Sequence, residues 1–236
     1  MKNRSRRSTA ITIPRLERIP ILRHGFGDRA WQETDFTKRM EEEGFRPLFL
    51  KQIHSDIIHF IDDPPRRTLW GDAMITRLPG LLLVIKTADC LPVLLVDAET
   101  RVVAAVHGGW KGLSLKVLEK TVEGMRDHYS VDPGSLLAAS GPCIGGGCYE
   151  VGTDVRNLYE AEGFPASLFS SIPDRPGKSF LDLRAAARLQ LLENGVLEGN
   201  IFAVDICTHC DPAFPSYRRD KDDCGRMLSF IGITPP

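Results

Sequence analysis

A cysteine and a histidine stand at the two ends of an apolar hairpin-like sequence. Residues 87–112 read TADCLPVLLVDAETRVVAAVHGGWKG, in which Cys90 precedes one apolar run and His107 ends the next. A two-residue turn at Ala98 and Glu99 would place Cys90 directly opposite His107. Opposite residues have Cβ atoms about 4.5–5.5 Å apart, and from that separation a thiolate and an imidazole can reach one metal ion. The spacing therefore predicts two metal ligands on one face of a sheet.

A third candidate ligand follows an earlier strand-like run. His54, in KQIH, would join Cys90 and His107 in a set of two nitrogens and one sulfur. Three protein ligands leave a fourth position for water or substrate, as in catalytic zinc sites. Zinc lowers the pKa of bound water to about 7 and polarises substrate oxygens. The alternative is a satisfied core histidine and an inert buried cysteine, because separations of 36 and 17 residues fit no short metal motif.

The elements that must position these ligands can be read from the apolar pattern. Strands are predicted at 48–53, 57–61, 81–86, 91–97 and 102–107, and near 200–206 and 227–233. Most of the runs are apolar on both faces, which is typical of a sheet covered on both sides. Helices are predicted over 113–128 from its apolar spacing, around 153–163, and after Asp182 as N-cap. A Pro/Ser-rich connection is predicted at 165–179.

These elements favour one α+β domain over residues 1–236, in which 1–20 form a flexible N-terminal segment. The 30 basic residues nearly balance the 31 acidic ones, so no nucleic-acid or membrane partner is expected. No apolar run has the length of a signal peptide core or a membrane span, so we expect a cytoplasmic protein. Its six cysteines are accordingly expected to be reduced thiols, some of them ligands.

A set of longer motifs supports the proposed ligands. In chain order from about residue 52 they are KQIH, GDAMIT, TADCLPVLL, AVHGGWKGL, GPCIG with YEVG, and SYRRD with GRM. In these motifs the chain resembles the YfiH-type laccase-domain family, also described as multicopper polyphenol oxidoreductase and purine nucleoside phosphorylase. The resemblance implies that His54, Cys90 and His107 are the metal ligands. It also implies a layered αββα sandwich of mixed sheets.

The same resemblance implies a zinc enzyme that acts on small purine nucleosides. The expected reactions are phosphorolysis of adenosine, inosine or methylthioadenosine to base and pentose 1-phosphate, and deamination of adenosine. Deamination needs a hydroxide at the purine ring, which a metal-bound water provides. One alternative is a copper-dependent polyphenol oxidase, although a single His/Cys/His set lacks the several histidine-rich motifs of multicopper chemistry. The other is a catalytically silent, metal-stabilised binding protein. The sequence defines no oligomeric state.

Phosphorolysis also requires cationic groups that hold a phosphate. Lys111, in GGWKG at a predicted helix start, is one candidate. Arg218 and Arg219 in SYRRD are further candidates, each with a solvated surface charge as the alternative. Arg23 and His24 match the family's opening motif in RHGF, and Arg23 is expected near the same substrate and phosphate site.

Two carboxylates lie in the matching motifs. Asp89 is a candidate catalytic residue beside Cys90, and Asp72 is its rival. Either could orient a ligand or move a proton, and the sequence does not choose between them. Gly108 and Gly109 would allow close approach of the backbone to a ligand, although a tight strand-to-helix turn explains them equally well.

The opening segment departs from the family's pattern. RHGFGDRAWQETDFTKRMEEEGF enters its helix without the family's Gly/Ser-rich loop, and Phe36 and Thr37 occupy the place of an Asn–Arg pair. We therefore expect a substrate contact to be lost, moved to Arg39 or supplied by a partner chain.

The remaining cysteines give a weaker signal. Cys207 and Cys210 form a CxxC, which needs a second CxxC to complete a typical zinc site. Cys143 and Cys148 are too far apart in sequence to supply one, so a minor structural metal at Cys207 and Cys210 stays open.

Overall fold

Runs of apolar residues form the two central sheets of the computed structural model, which describes residues 10–236. Within that range the strands are β1 Leu22–Phe26, β2 Arg46–Lys51, β3 Ile58–Phe60, β4 Leu69–Trp70, β5 Ala73–Thr76, β6 Leu81–Thr87, β7 Leu91–Asp97, β8 Val102–Gly108, β9 Leu137–Ser140, β10 Glu150–Gly152, β11 Phe169–Ser171, β12 Lys178–Leu181, β13 Ile201–Ala203 and β14 Met227–Ile233. The helices are α1 Pro14–Glu17, α2 Glu33–Glu42, α3 Trp110–Ser114, α4 Val117–Tyr129, α5 Thr153–Ala161, α6 Leu183–Glu193 and α7 Tyr217–Asp220. The strands predicted in the first half and the helix capped by Asp182 are confirmed.

The strands form two large mixed sheets and one small sheet. The five-stranded sheet has the order β1-β14-β6-β2-β4, and the six-stranded sheet has the order β13-β9-β7-β8-β5-β3. Each contains parallel and antiparallel pairs. The Pro/Ser-rich connection predicted at 165–179 contributes β11 and the start of β12 to a small antiparallel sheet with β10.

Three apolar cores define the layers. One core lies between the five-stranded and six-stranded sheets, where Ile85 and Ile231 meet Leu94 and Ala105. A second joins the other face of the six-stranded sheet to α4, α5 and α6. A third packs α2 on the outer face of the five-stranded sheet. The order helix, sheet, sheet, helix confirms the expected single-domain α+β architecture of αββα layers, and it explains why the central strands are apolar on both faces.

The predicted register of the β7–β8 hairpin is wrong by two residues. Pro92, rather than Cys90, is paired with His107, because the connection is a four-residue loop at 98–101. The carboxylate of Asp97 accepts hydrogen bonds from the backbone and hydroxyl of Thr100, which favours this longer turn. A shift by an even number keeps every side chain on its predicted face. Cys90 therefore lies just before β7, still on the His107 side of the sheet.

The helix predicted over 113–128 is divided into α3 and α4. Lys116 has a left-handed backbone (φ 60°) and separates the two. The buried side chain of Gln190 replaces the missing helical hydrogen bonds: its Nε2 donates to the Leu113 carbonyl, and its Oε1 accepts from the Leu118 backbone N–H. The break redirects the chain while the apolar face of both helices stays in the core.

The N-terminal segment predicted to be flexible falls partly outside the described residues, which start at 10. Residues 10–20 contain α1, and Leu16 is fully buried between the sheets. The backbone N–H of Ile13 donates to Nε2 of His24 at 3.0 Å. Among the described helices, none combines the length and apolar character needed to cross a bilayer.

Candidate metal centre

Three side chains from separate parts of the chain converge at one end of the six-stranded sheet. The ligand atoms of His54, Cys90 and His107 all lie within 4.8 Å of one another, and Cys90 Sγ is 3.8 Å from His54 Nε2. Tetrahedral zinc with ordinary Zn–S and Zn–N lengths places sulfur and nitrogen about 3.6 Å apart. The donor set and its spacing therefore fit a metal ion with three protein ligands.

Asp72 positions two of the three candidate ligands. It is fully buried, and its Oδ1 is 2.7 Å from Nδ1 of His107, which leaves Nε2 as the nitrogen that can reach a metal. Its carboxylate also accepts the backbone N–H groups of Ile53, His54 and Ser55, at 3.3, 3.0 and 2.6 Å. These bonds hold His54 in a left-handed conformation (φ 57°) that turns its ring toward Cys90. The geometry assigns Asp72 the orienting role that the sequence left open between two carboxylates.

Gly109 provides the space that the ligands need. It precedes α3, and a Cβ at this position would lie 2.9 Å from Cδ2 of His54 and 3.3 Å from Sγ of Cys90. A distance of 2.9 Å is shorter than Cβ contacts allow. Glycine is therefore required for the backbone to pass close to the three ligands.

Mutual interaction shifts the pKa values of Cys90 and His107 in opposite directions. Burial opposes ionisation of Cys90, but neighbouring His107 outweighs it and lowers the pKa of the thiol to about 6. Burial likewise opposes protonation of His107, but Cys90 and Asp72 raise its pKa to about 9. Against its burial, hydrogen bonds from His107 and Ser55 lower the pKa of Asp72 to about 2. A thiolate, the form that binds metals, is therefore available near neutral pH.

The ligands open onto a cavity of about 620 Å³, within the size range of small-molecule sites. Its walls combine aromatic rings with cationic groups. The aromatic residues are Trp110, Tyr149 and Tyr217, and the cations are Lys51, Lys86, Arg218, Lys221 and Arg226. This composition suits a ligand with a flat ring and an anionic group.

Two other residues predicted from the sequence, Asp89 and Arg218, line this cavity. The carboxylate of Asp89 accepts hydrogen bonds from the Thr208 hydroxyl at 2.7 Å and from the Arg218 backbone N–H at 2.6 Å. Arg218 donates from Nη2 to the Glu150 carbonyl and lies 5.2 Å from the ring centre of Tyr149. Asp89 thus anchors the segment that carries Arg218.

The other cationic residues predicted from the sequence are not among the described residues that line this cavity. Lys111 is exposed on α3, outside the residues that line the cavity. The guanidinium of Arg219 donates to backbone carbonyls of Thr208 and Phe214. Arg23, on β1 of the five-stranded sheet, pairs with Glu43 at 3.0 Å.

The residues that depart from the family's opening pattern lie on α2, away from the cavity. Phe36 is buried with Trp31 and Phe230 under α2. Arg39 pairs with Glu43 on the surface of that helix. Neither Phe36 nor Arg39 is among the described residues that line the cavity, so the expected move of a substrate contact to Arg39 is not found there.

Several residues of the cavity were not predicted from the sequence. Gln52 holds the Lys86 backbone on both sides: its Nε2 donates to the carbonyl at 2.8 Å, and its Oε1 accepts from the N–H at 2.9 Å. Arg226 also lines the cavity. Gln52 and Arg226 lie in the motifs KQIH and GRM, so the motifs marked both residues, but the sequence did not predict a role for either.

Comparisons with known proteins agree with this fold. A family model described as multi-copper polyphenol oxidoreductase laccase matches residues 28–234. Purine nucleoside phosphorylase YfiH of Escherichia coli is 35% identical over 233 residues, covering 97% of this chain and 92% of that protein. A purine nucleoside phosphorylase of Deinococcus radiodurans is 42% identical over 185 residues, covering 78% and 69%.

Two solved structures have the same fold as this chain. YlmD from Geobacillus stearothermophilus matches with a TM-score of 0.85 and 26% identity, covering 99% of this chain and 98% of that one. The hypothetical protein YfiH of Bacillus licheniformis matches with a TM-score of 0.84 and 26% identity, covering 90% and 93%.

Proposed function

The chain belongs to the YfiH-type multi-copper polyphenol oxidoreductase laccase family, and from that premise we propose that it is a zinc-dependent purine nucleoside phosphorylase. The proposed substrates are adenosine, inosine and methylthioadenosine together with phosphate. The observation that carries the proposal is the opening of the His54, Cys90 and His107 cluster onto a cavity walled by aromatic rings and cations. The names of the relatives, purine nucleoside phosphorylase, support the substrate class.

Zinc is the metal we propose for this cluster, with copper as the alternative. Two imidazoles and one thiolate suit both ions, and the family description names copper. Bound zinc supplies Lewis-acid polarisation and a water of lowered pKa. Adenosine deamination is proposed as a second activity of the same site, because it needs such a water.

The cavity residues are proposed to hold the nucleoside between aromatic rings. Trp110, Tyr149 and Tyr217 present flat surfaces on which a purine can stack. Burial raises the pKa of Tyr149, so its hydroxyl stays protonated and can donate a hydrogen bond to the departing base. In phosphorolysis a phosphate oxygen bonds to the anomeric carbon as the carbon–nitrogen bond breaks. The electron pair leaves with the base, which then takes up a proton.

Phosphate binding is proposed to fall to the cations that face the cavity. Arg218, Lys86 and Arg226 line it, and their positive charges offset the charge of the phosphate. Asp89 is proposed to position Arg218 through the backbone hydrogen bond between them. A cytoplasmic location is part of the proposal, supported by the six unpaired cysteines.

The proposal is tested by incubating zinc-loaded protein with each nucleoside, with and without phosphate, and by separating bases and nucleosides chromatographically. The expected result is free base and pentose 1-phosphate only when phosphate is present, with inosine formed from adenosine in both conditions. Oxidation of a phenol by copper-loaded protein without nucleoside turnover would favour the polyphenol oxidase. Stoichiometric metal without any product would favour a binding protein.

Two lysine variants test which surface binds phosphate. Lys86→Ala is expected to raise the KM for phosphate, because Lys86 lines the cavity. Lys111→Ala is the matched comparison, since Lys111 is exposed on α3 outside the cavity wall. A larger effect from Lys111→Ala would move the phosphate site to the start of α3.

A further inference from the structure

A second group of thiols lies apart from the metal centre. The sulfur atoms of Cys148, Cys207 and Cys210 are all within 4.8 Å of one another, and the sulfurs of Cys148 and Cys210 are 3.4 Å apart. Sequence spacing gave the CxxC no partner, but the fold brings Cys148 to it from 62 residues away. Tetrahedral zinc holds two thiolate sulfurs about 3.8 Å apart, so the three sulfurs have the spacing of a shared ion.

The backbone around these cysteines holds the sulfurs in place. The Cys210 N–H donates to the carbonyl of Cys207 at 3.2 Å, which closes the CxxC into a turn. The N–H of Gly145 donates to Sγ of Cys207 at 3.1 Å, and the Cys148 N–H donates to the Gly145 carbonyl at 2.8 Å. A backbone N–H directed at sulfur stabilises the negatively charged thiolate that a metal requires.

We propose that Cys148, Cys207 and Cys210 form a second metal site, which binds a thiolate-preferring ion, zinc in the first instance. Three sulfur donors select soft or borderline ions over magnesium or calcium. Cys210 is exposed, and the other two are half-buried, so an ion and a fourth ligand from solvent can reach the sulfurs. The site shares no residue with the His54, Cys90 and His107 cluster and does not depend on which reaction that cluster catalyses.

A disulfide between Cys148 and Cys210 is the competing state. It would use two sulfurs and leave Cys207, which already accepts the Gly145 N–H, without a role. The closeness of all three sulfurs is explained by a metal and is left unexplained by a disulfide.

The proposed ion would join one segment that lines the cavity to another that supports a lining residue. Cys148 precedes Tyr149, which lines the cavity. Cys207 precedes Thr208, whose hydroxyl donates to Asp89. The role of the second ion is therefore structural: it holds these segments together from outside the site.

The test measures zinc per chain by mass spectrometry of protein purified under reducing conditions, loaded with zinc and freed of excess metal. Wild type is expected to hold two ions. Cys210→Ser and Cys90→Ser should each hold one, and the double variant should hold none. Cys224→Ser is the matched control, because Cys224 lies outside both clusters, and it should hold two.

Cobalt substitution gives a second readout. Cobalt-loaded Cys210→Ser should lose most of the thiolate-to-cobalt absorption of the wild type, since three of the four proposed sulfur ligands belong to this site. Cys148→Ser should behave in the same way, and circular dichroism checks that both variants fold. The proposal is overturned if Cys210→Ser still holds two zinc ions, or if wild type holds one ion that only Cys90→Ser removes. A Cys148–Cys210 disulfide in the reduced, zinc-loaded protein would also overturn it.

Discussion

Replacing Asp72 with asparagine should weaken metal binding and the fold together. In the wild type, Oδ1 accepts from the His54 backbone and lies 2.7 Å from the ring nitrogen of His107, while Oδ2 accepts from the backbone N–H groups of Ile53 and Ser55. The amide nitrogen of asparagine cannot accept a hydrogen bond. Whichever oxygen it replaces, it therefore faces groups that donate in the wild type.

The magnitude follows from these contacts. Loss of the partner that orients a metal-binding histidine costs about 10–100-fold in metal affinity, or about 1.4–2.7 kcal/mol. Each buried donor left without an acceptor costs about 1–3 kcal/mol, so two such donors lower the free energy of unfolding by about 2–6 kcal/mol. If the His107 ring changes tautomer to accept from the amide, its second nitrogen carries the proton and cannot bind the metal.

Zinc affinity would be measured by competition with a coloured chelator, and stability by urea denaturation of metal-free protein. Asp62→Asn is the matched control, because Asp62 contacts Nε2 of His128 at 3.0 Å in a pair exposed to solvent. Exposed pairs contribute about 0–1 kcal/mol, and this pair lies away from the ligands, so zinc affinity should not change. Wild-type zinc affinity in Asp72→Asn would refute the role assigned to Asp72.

Three further variants test other parts of the structure. Gly109→Ala should weaken zinc binding at least as much as Asp72→Asn, because its methyl group would lie 2.9 Å from the ring of His54. Gly199→Ala is the control: it has open space around it and should bind zinc normally in the same chelator competition. Burial lowers the pKa of His24 to about 4, below the value near 6.5 in an unfolded chain. The unfolded state therefore binds the proton more readily. As a result, the free energy of unfolding should fall by about 3 kcal/mol as the pH drops from about 6.5 to 4. His24→Gln should flatten that part of the urea-midpoint profile, and an unchanged pH slope would contradict it. Arg219→Gln should lower the free energy of unfolding by about 1–3 kcal/mol and leave the KM for phosphate unchanged, since this guanidinium is bonded to backbone carbonyls; a raised KM would return Arg219 to the phosphate site.

The apolar pattern predicted that the central strands are covered on both faces, but it did not predict their register; the αββα order was expected from the family resemblance. Strands apolar on both faces required cover on both sides, and the αββα order supplies it. The β7–β8 register depended on loop length, which the Asp97 and Thr100 hydrogen bonds lengthen to four residues. Because the register shifts by an even number of residues, Cys90 and His107 stay on one face of the sheet, as the ligand prediction requires.

The contacts that complete each site could not be read from spacing, because they join distant parts of the chain. Asp72 and Asp89 look alike in sequence, and only the structure shows that Asp72 contacts two candidate ligands while Asp89 contacts Thr208 and Arg218. The pairing of Cys148 with the CxxC likewise depends on the fold. Long-range hydrogen bonds of this kind have no local sequence signature.

The central claim is that His54, Cys90 and His107 ligate one metal ion. X-ray absorption at the zinc edge tests it most directly, on Cys210→Ser protein carrying a single zinc so that the second cluster does not contribute. We expect two nitrogens at about 2.0–2.1 Å and one sulfur at about 2.3 Å, with one further light atom. A first shell without sulfur, or one dominated by sulfur, would contradict the account.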